Sequence, residues 1–279
     1  MRFLSFFAVV SLLASLWAPA ETVREIPFQH CDGFLWVKVC AAGQREPLNF
    51  LLDSGASLSV LNSQTARSLN LKLGTRQSVY GVSSQTLAHW ISGFKAEVAG
   101  ITLPKSLLAV DLSTLSKTCH QPIDGLLGAD FLRGRIVQID FAARKVRILD
   151  SAQSTDRGAV LPIQWRNNAM CVPVGIAGNS PQWMRLDTGC ESALEWAGDK
   201  TKGHRDQGTH DTSIGLAGAS IRYIQADIQL GNHNLSGARI GVHEQRMFPG
   251  ECGLLGNGVL SQFQVTIDAP NRRVILRKN

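Results

Sequence analysis

Leu51-Leu52-Asp53-Ser54-Gly55-Ala56 and Arg185-Leu186-Asp187-Thr188-Gly189-Cys190 follow one pattern. In each, an apolar run ends on an aspartate, and a small hydroxyl residue and a glycine follow. One such triplet is ordinary turn chemistry, because Asp, Ser, Thr and Gly all favour tight bends. Two of them, 134 residues apart in matching surroundings, set the organisation of the chain.

The match extends on both sides of the triplets. Ile26-Pro27-Phe28-Gln29 reads like Leu161-Pro162-Ile163-Gln164, and Val37-Lys38-Val39 like Val172-Pro173-Val174. Tyr80-Gly81-Val82-Ser83-Ser84 reads like Ile214-Gly215-Leu216-Ala217-Gly218. Gly125-Leu126-Leu127-Gly128 recurs as Gly253-Leu254-Leu255-Gly256, and Asp140-Phe141-Ala142 as Asp268-Ala269-Pro270. A repeat of this length predicts two homologous lobes. The expected division is residues 1–20, a lobe at 21–150, a linker at 151–158 and a second lobe at 159–279.

Residues 1–20 carry one basic residue, Arg2, then an apolar run from Phe3 to Trp17 that ends Ala18-Pro19-Ala20. That is the layout of a signal peptide cut after Ala20, and it predicts an exported protein, periplasmic or secreted. The run is short for a membrane span, so no stable span is expected after processing. The chain is basic, with a net charge of +6, but its basic residues alternate with apolar ones in Arg144-Lys145-Val146-Arg147 and Arg272-Arg273-Val274-Ile275. Such alternation marks the solvated face of half-buried strands, which argues against nucleic-acid binding.

The patterning predicts a mainly β chain. Expected strands are Phe34–Cys40, Leu48–Leu52, Ile91–Val98, Ile136–Phe141 and Lys145–Leu149. Their counterparts are Cys171–Ile176, Gln182–Leu186, Ile221–Leu230, Gln264–Asp268 and Arg273–Leu276. Helices are expected only at Ser63–Leu69, capped by Asn62 or Ser63, with helical turns at Ala129–Leu132 and Gly258–Gln262. Asp124 and Asp130 are expected to cap the helix after the first Gly-Leu-Leu-Gly. Asp140 and Asp268 are expected in turns between strands. Asp199–Asp206 reads as a polar loop in place of the first lobe's helix.

Paired Asp-Ser/Thr-Gly triplets, each followed by a Gly-Leu-Leu-Gly segment, resemble the pepsin-like and retropepsin-like aspartic proteases. The run from Gly253 to Val274 resembles the end of pepsin-type enzymes, whereas the compact lobes resemble retroviral protease subunits. The resemblance implies a bilobal acid-protease fold of two homologous β-barrel lobes with a few short helices. It implies an aspartic endopeptidase in which Asp53 and Asp187 share a proton and activate a water, with no cofactor and no metal. Ser54 and Thr188 would hydrogen-bond across the lobe interface, and Gly55 and Gly189 would let backbone approach the carboxylates. Tyr80, Gly81 and Gly215 would belong to flap hairpins over a protein or peptide substrate. A monomer is implied, its lobes acting as an internal dimer.

Where retroviral enzymes carry a second acid after the triplet, this chain has Ser57 in the first copy and Glu191 in the second. Of the six cysteines, Cys31, Cys40, Cys119, Cys171, Cys190 and Cys252, the repeat sets Cys190 beside its triplet and Cys252 just before Gly253. A Cys190–Cys252 disulfide is the expectation that follows. His30-Cys31 and Cys119-His120 match no zinc spacing. The competing functional readings are a catalytically silent peptide-binding protein and an envelope scaffold that keep the fold.

Overall fold

The computed structural model describes residues 24–82, 84–150, 158–197, 205–214 and 217–279. The leader at 1–20, the linker up to residue 157, the polar loop up to residue 204 and Gly215 lie outside the described residues.

The first lobe opens with β1 (Arg24–Cys31), β2 (Phe34–Ala41), β3 (Leu48–Leu52), β4 (Val60–Asn62) and α1 (Ser63–Ser68). It continues through β5 (Leu73–Gly81), β6 (Ser84–Ser92), β7 (Ala96–Val98), β8 (Ile101–Thr102), β9 (Ser106–Val110) and α2 (Ser113–Thr118). Then come β10 (Gly125–Leu127), α3 (Ala129–Leu132), β11 (Ile136–Asp140) and β12 (Lys145–Leu149). The second lobe begins with β13 (Ala159–Pro162), β14 (Gln164–Arg166), β15 (Ala169–Ile176), β16 (Gln182–Leu186) and β17 (Leu194–Trp196). It ends with β18 (Arg205–Ile214), β19 (Ala217–Leu230), β20 (His233–Val242), β21 (Gly253–Leu255), α4 (Asn257–Leu260), β22 (Phe263–Asp268) and β23 (Arg273–Lys278).

The sheet orders repeat as the sequence does. The first lobe pairs β2-β3-β10-β4-β9-β6-β5, and the second pairs β15-β16-β21-β17-β20-β19-β18. In both, the triplet-bearing strand lies parallel to the Gly-Leu-Leu strand, with Leu51 opposite Leu126 and Arg185 opposite Leu254. The second lobe closes into a barrel because β19 pairs with β15 as well as with β20. In the first lobe that long strand is broken into β6 and β7, and β7 makes the closing pair with β2. Gly93 stands in the break with φ at +80°, a left-handed bend that a side chain disfavours. The predicted strand Ile91–Val98 is thus two strands.

A third sheet element joins the lobes. Strands β1, β12 and β11 of the first lobe continue through β22 and β23 to β13 of the second. At its centre β11 runs antiparallel to β22, with Gln138 opposite Thr266. In β12 the pattern is alternating, with Val146 buried between Lys145 and Arg147, whose cations pair with Glu25 on β1. Asp140 and Asp268 hold the two hairpin turns that leave this sheet, accepting from Ala143 N at 2.8 Å and Asn271 N at 3.2 Å. Fully buried Phe50, Phe131 and Phe263 belong to one apolar cluster that runs through both lobes.

Several local expectations need correction. Asn62 caps α1, accepting from Gln64 N at 3.1 Å, but the helix stops at Ser68. Helix α2 was not anticipated, because its only strong start signal is Asp111, which accepts from Ser113 N at 2.9 Å. Helix α4 begins one residue early and ends at Leu260. Neither Asp124 nor Asp130 is the N-cap of α3: that position is Gly128, which makes no side-chain cap, although Asp130 inside the helix accepts from Phe131 N at 2.9 Å. Asp124 instead accepts from Asn49 N and Thr65 Oγ1, each at 2.8 Å. Asp130 accepts from the amide and hydroxyl of Ser59. Both acids brace the segments beside the first triplet.

Candidate active site

The two triplets form loops at the ends of β3 and β16, and each loop is anchored to the strand that lies parallel to it. Asp53 N donates to Leu127 O, and Asp187 N to Leu255 O, both at 2.9 Å. The loops then bind each other. Ser54 N donates to Thr188 Oγ1 at 2.9 Å, and Thr188 N donates to Ser54 Oγ at 3.0 Å. Each hydroxyl donates to a carbonyl of the opposite lobe, Ser54 Oγ to Leu186 O at 2.8 Å and Thr188 Oγ1 to Leu52 O at 2.7 Å. Ser54 is fully buried and Thr188 nearly so. Four hydrogen bonds therefore satisfy groups that burial would otherwise leave unpaired.

This lock sets the Asp53 carboxyl against Gly189 and the Asp187 carboxyl against Gly55. A Cβ on Gly189 would stand 2.5 Å from Asp53 Cγ, and one on Gly55 would overlap the Asp187 carboxyl in the same way. Only glycine leaves room for this approach. Asp53 Oδ1 accepts from Ala56 N at 2.9 Å, and Asp187 Oδ1 from Gly189 N at 2.8 Å. Burial raises the affinity of both carboxyls for protons, and the nearby Asp53 charge raises that of Asp187 further. Two acids in this position hold one proton between them more readily than they both ionise.

Tyr80 and Gly81 end β5, paired with Gln85 and Ser84 across the hairpin. Tyr80 is 68% exposed, so its ring is no part of the packing around the carboxyl pair. Instead Val82, two residues on, is buried against Cys190 and Leu254 of the second lobe, with Met247 and Phe248 packed on the same cluster. The first lobe's hairpin thus crosses to the second lobe beside its triplet. Ser57 Oγ donates to Asn167 O at 2.7 Å, another contact between the lobes.

The expected Cys190–Cys252 disulfide is not present, and all six cysteines are free. Cys190 belongs to the apolar cluster under Val82, whereas Cys252 packs against the main core. The two segments are neighbours, but their side chains serve different clusters. Among the described residues, no group of three or more His, Cys, Asp or Glu is placed to hold a metal.

Arg185 and Glu251 were missed. Both are almost completely buried, and Arg185 Nε and Nη2 donate to the two Glu251 oxygens at 2.7 Å each. The signal was in the repeat: the matching first-lobe positions are the apolar Leu51 and Ile123.

Residues 37–131 match the sequence profile of the family described as aspartyl protease. Among solved structures, the fold is similar to that of the aspartic proteinase from Irpex lacteus, with a TM-score of 0.60 at 13% identity. That match covers 92% of this chain and 97% of the other. No curated protein matches the chain in sequence. The fold is that of the two-lobed, single-chain aspartic proteases, and the matched stretch carries the first triplet, the first hairpin and the first Gly-Leu-Leu-Gly. The sequence match covers about a third of the chain, and the structural similarity shows the fold.

Proposed function

We propose that the chain is an aspartic endopeptidase whose Asp53 and Asp187 activate a water against a peptide bond held between the lobes. The observation that carries the reading is the reciprocal Ser54–Thr188 lock, which sets each aspartate's carboxyl against the glycine of the opposite triplet. One carboxylate takes a proton from the water while the other acid protonates the scissile carbonyl. This needs one negative charge and one proton on the pair, the state that burial and mutual repulsion favour. The β5–β6 hairpin, seated on the second lobe through Val82, would cover the bound peptide and exclude solvent.

The substrate is a peptide or an extended protein segment, and export to the periplasm or beyond is proposed from the sequence of residues 1–20 alone. N-terminal sequencing of protein from the exported fraction should begin at or beside Glu21. The decisive experiment is incubation of purified protein with a peptide library and sequencing of the products. Internal cleavage lost in both Asp53→Asn and Asp187→Asn supports the proposal. A folded wild-type chain that binds peptides without cutting them would replace it with the silent-binder reading.

A further inference from the structure

The peptide unit joining Gly55 to Ala56 is held at both ends. Its carbonyl, on Gly55, accepts from Arg185 Nη1 at 2.7 Å. Its N–H, on Ala56, donates to Asp53 Oδ1 at 2.9 Å. A cationic donor on the carbonyl polarises the peptide and makes its N–H a stronger donor. A side chain of the second lobe thereby acts, through one peptide unit, on the aspartate of the first.

Arg185 is well held for this task. It is 4% exposed, and its other nitrogens make the two-pronged pair with Glu251. The Phe248 ring covers the guanidinium, its centroid 3.5 Å from Cζ. Asn167 Nδ2 donates to Glu251 Oε1 at 2.9 Å and pins the acid in turn.

The first lobe has no cation at the equivalent position. Leu51 occupies the position of Arg185 and Ile123 that of Glu251, and both lie in an apolar cluster with Trp36, Leu108 and Leu126. On the second triplet the corresponding donor is neutral: Asn257 Nδ2 donates to Thr188 O at 2.7 Å, and the N–H of that peptide unit, on Gly189, donates to Asp187 Oδ1 at 2.8 Å. The lobes are symmetric in backbone but not in charge. Cys190 and Glu191, the other titratable groups around the pair, sit on the second triplet's own loop. The Cys190 thiol stays protonated, because burial pushes it well above its usual range.

We propose that Arg185 is a positioning residue that breaks the twofold equivalence of the pair, holding the negative charge on Asp53 and the proton on Asp187. The assignment of steps rests on the proposed function. As water oxygen bonds to the carbonyl carbon, Asp53 takes its proton and Asp187 gives its own to the carbonyl oxygen. In collapse, the proton on Asp53 passes to the leaving nitrogen, the C–N bond breaks, and Asp187 regains a proton from the tetrahedral hydroxyl. The pair ends as it began.

The test reads the two carboxyls separately. Asp187→Asn and Asp53→Asn proteins, carrying 13C-labelled aspartate, are titrated by NMR. The remaining Asp53 should titrate about one pH unit or more below the remaining Asp187. Replacing the ion pair with the first lobe's residues, Arg185→Leu with Glu251→Ile, should abolish that difference. Asp53 titrating level with or above Asp187 overturns the proposal, and so does a difference that survives in the apolar background. The first comparison uses native Arg185 and can overturn the proposal even where the double variant does not fold. Peptide cleavage by the wild-type protein is scored independently: its absence would overturn the proposed function while the titration still judges Arg185.

Discussion

Ser54 and Thr188, 134 residues apart, exchange backbone-to-hydroxyl hydrogen bonds of 2.9 and 3.0 Å across the lobe interface. The exchange is reciprocal, so neither loop is positioned independently of the other. Thr188→Val keeps the volume but leaves Ser54 N and Leu52 O without their partner. That loss should destabilise the protein by about 1–3 kcal/mol, whereas Thr188→Ser should cost much less. Denaturant titration of the two variants distinguishes the hydroxyl from the methyl group.

Asp53→Asn and Asp187→Asn should each reduce peptide cleavage by about a thousandfold or more, and the double variant should be scarcely worse than either. Initial rates on one cleaved peptide supply the comparison. Multiplying losses would mean that the two carboxyls act separately.

Asp187→Asn should also raise stability at neutral pH. Asp187 is held protonated in the fold by burial and by the Asp53 charge, so its folded affinity for protons exceeds the unfolded one. Its favourable contribution is present at low pH and is lost as pH rises through the folded value. The neutral amide of Asp187→Asn escapes that loss. Thermal scans should therefore show Asp187→Asn melting about 2–4 °C above wild type at pH 7 for each kcal/mol gained. The gain should disappear in acid.

Asp268 should behave in the opposite way. Burial works against its ionisation, but hydrogen bonds from Arg273 and Asn271 outweigh it and hold the carboxyl below its usual range. Its contribution is present above the unfolded value and is lost as pH falls through the folded one. Asp268→Asn should lower the melting temperature at pH 7 and matter progressively less towards strong acid.

Alkylation reports on the cysteines and on the missing disulfide together. Cys31 and Cys40 are exposed and should react in the folded protein. Cys171 is buried, and desolvation pushes its thiol up to about 12, so it should react only after unfolding. Cys190 should behave like Cys171. Recovery of Cys190 joined to Cys252 in non-reducing peptide maps would contradict the structure.

The flap prediction rests on one side chain. Val82→Ala removes the contact that seats the β5–β6 hairpin on Cys190 and Leu254, and should loosen it by about 1–2 kcal/mol. Hydrogen exchange should speed up at Tyr80 to Gln85 and stay unchanged in β11 and β22. Equal protection in the variant would mean that the exposed strands, not Val82, hold the hairpin down.

The two-lobed organisation was legible in the linear sequence because it is written as a repeat: triplet, hairpin turn and Gly-Leu-Leu-Gly recur at near-constant spacing. The strands beside the triplets were legible for a similar reason, since apolar runs and alternation are local properties of the chain. The break at Gly93, helix α2 and the roles of Asp124 and Asp130 were not, because each depends on which neighbouring strand supplies the competing hydrogen bond. The tertiary structure alone decided that Cys190 and Cys252 serve different clusters, that Val82 crosses to the other lobe, and that Arg185 reaches Gly55. A repeat records what the lobes share, whereas these contacts arise where the lobes differ and meet. Leu51 and Arg185 stand on equivalent strands, yet only the folded interface turns that difference into a cation bound to the peptide unit that donates to Asp53.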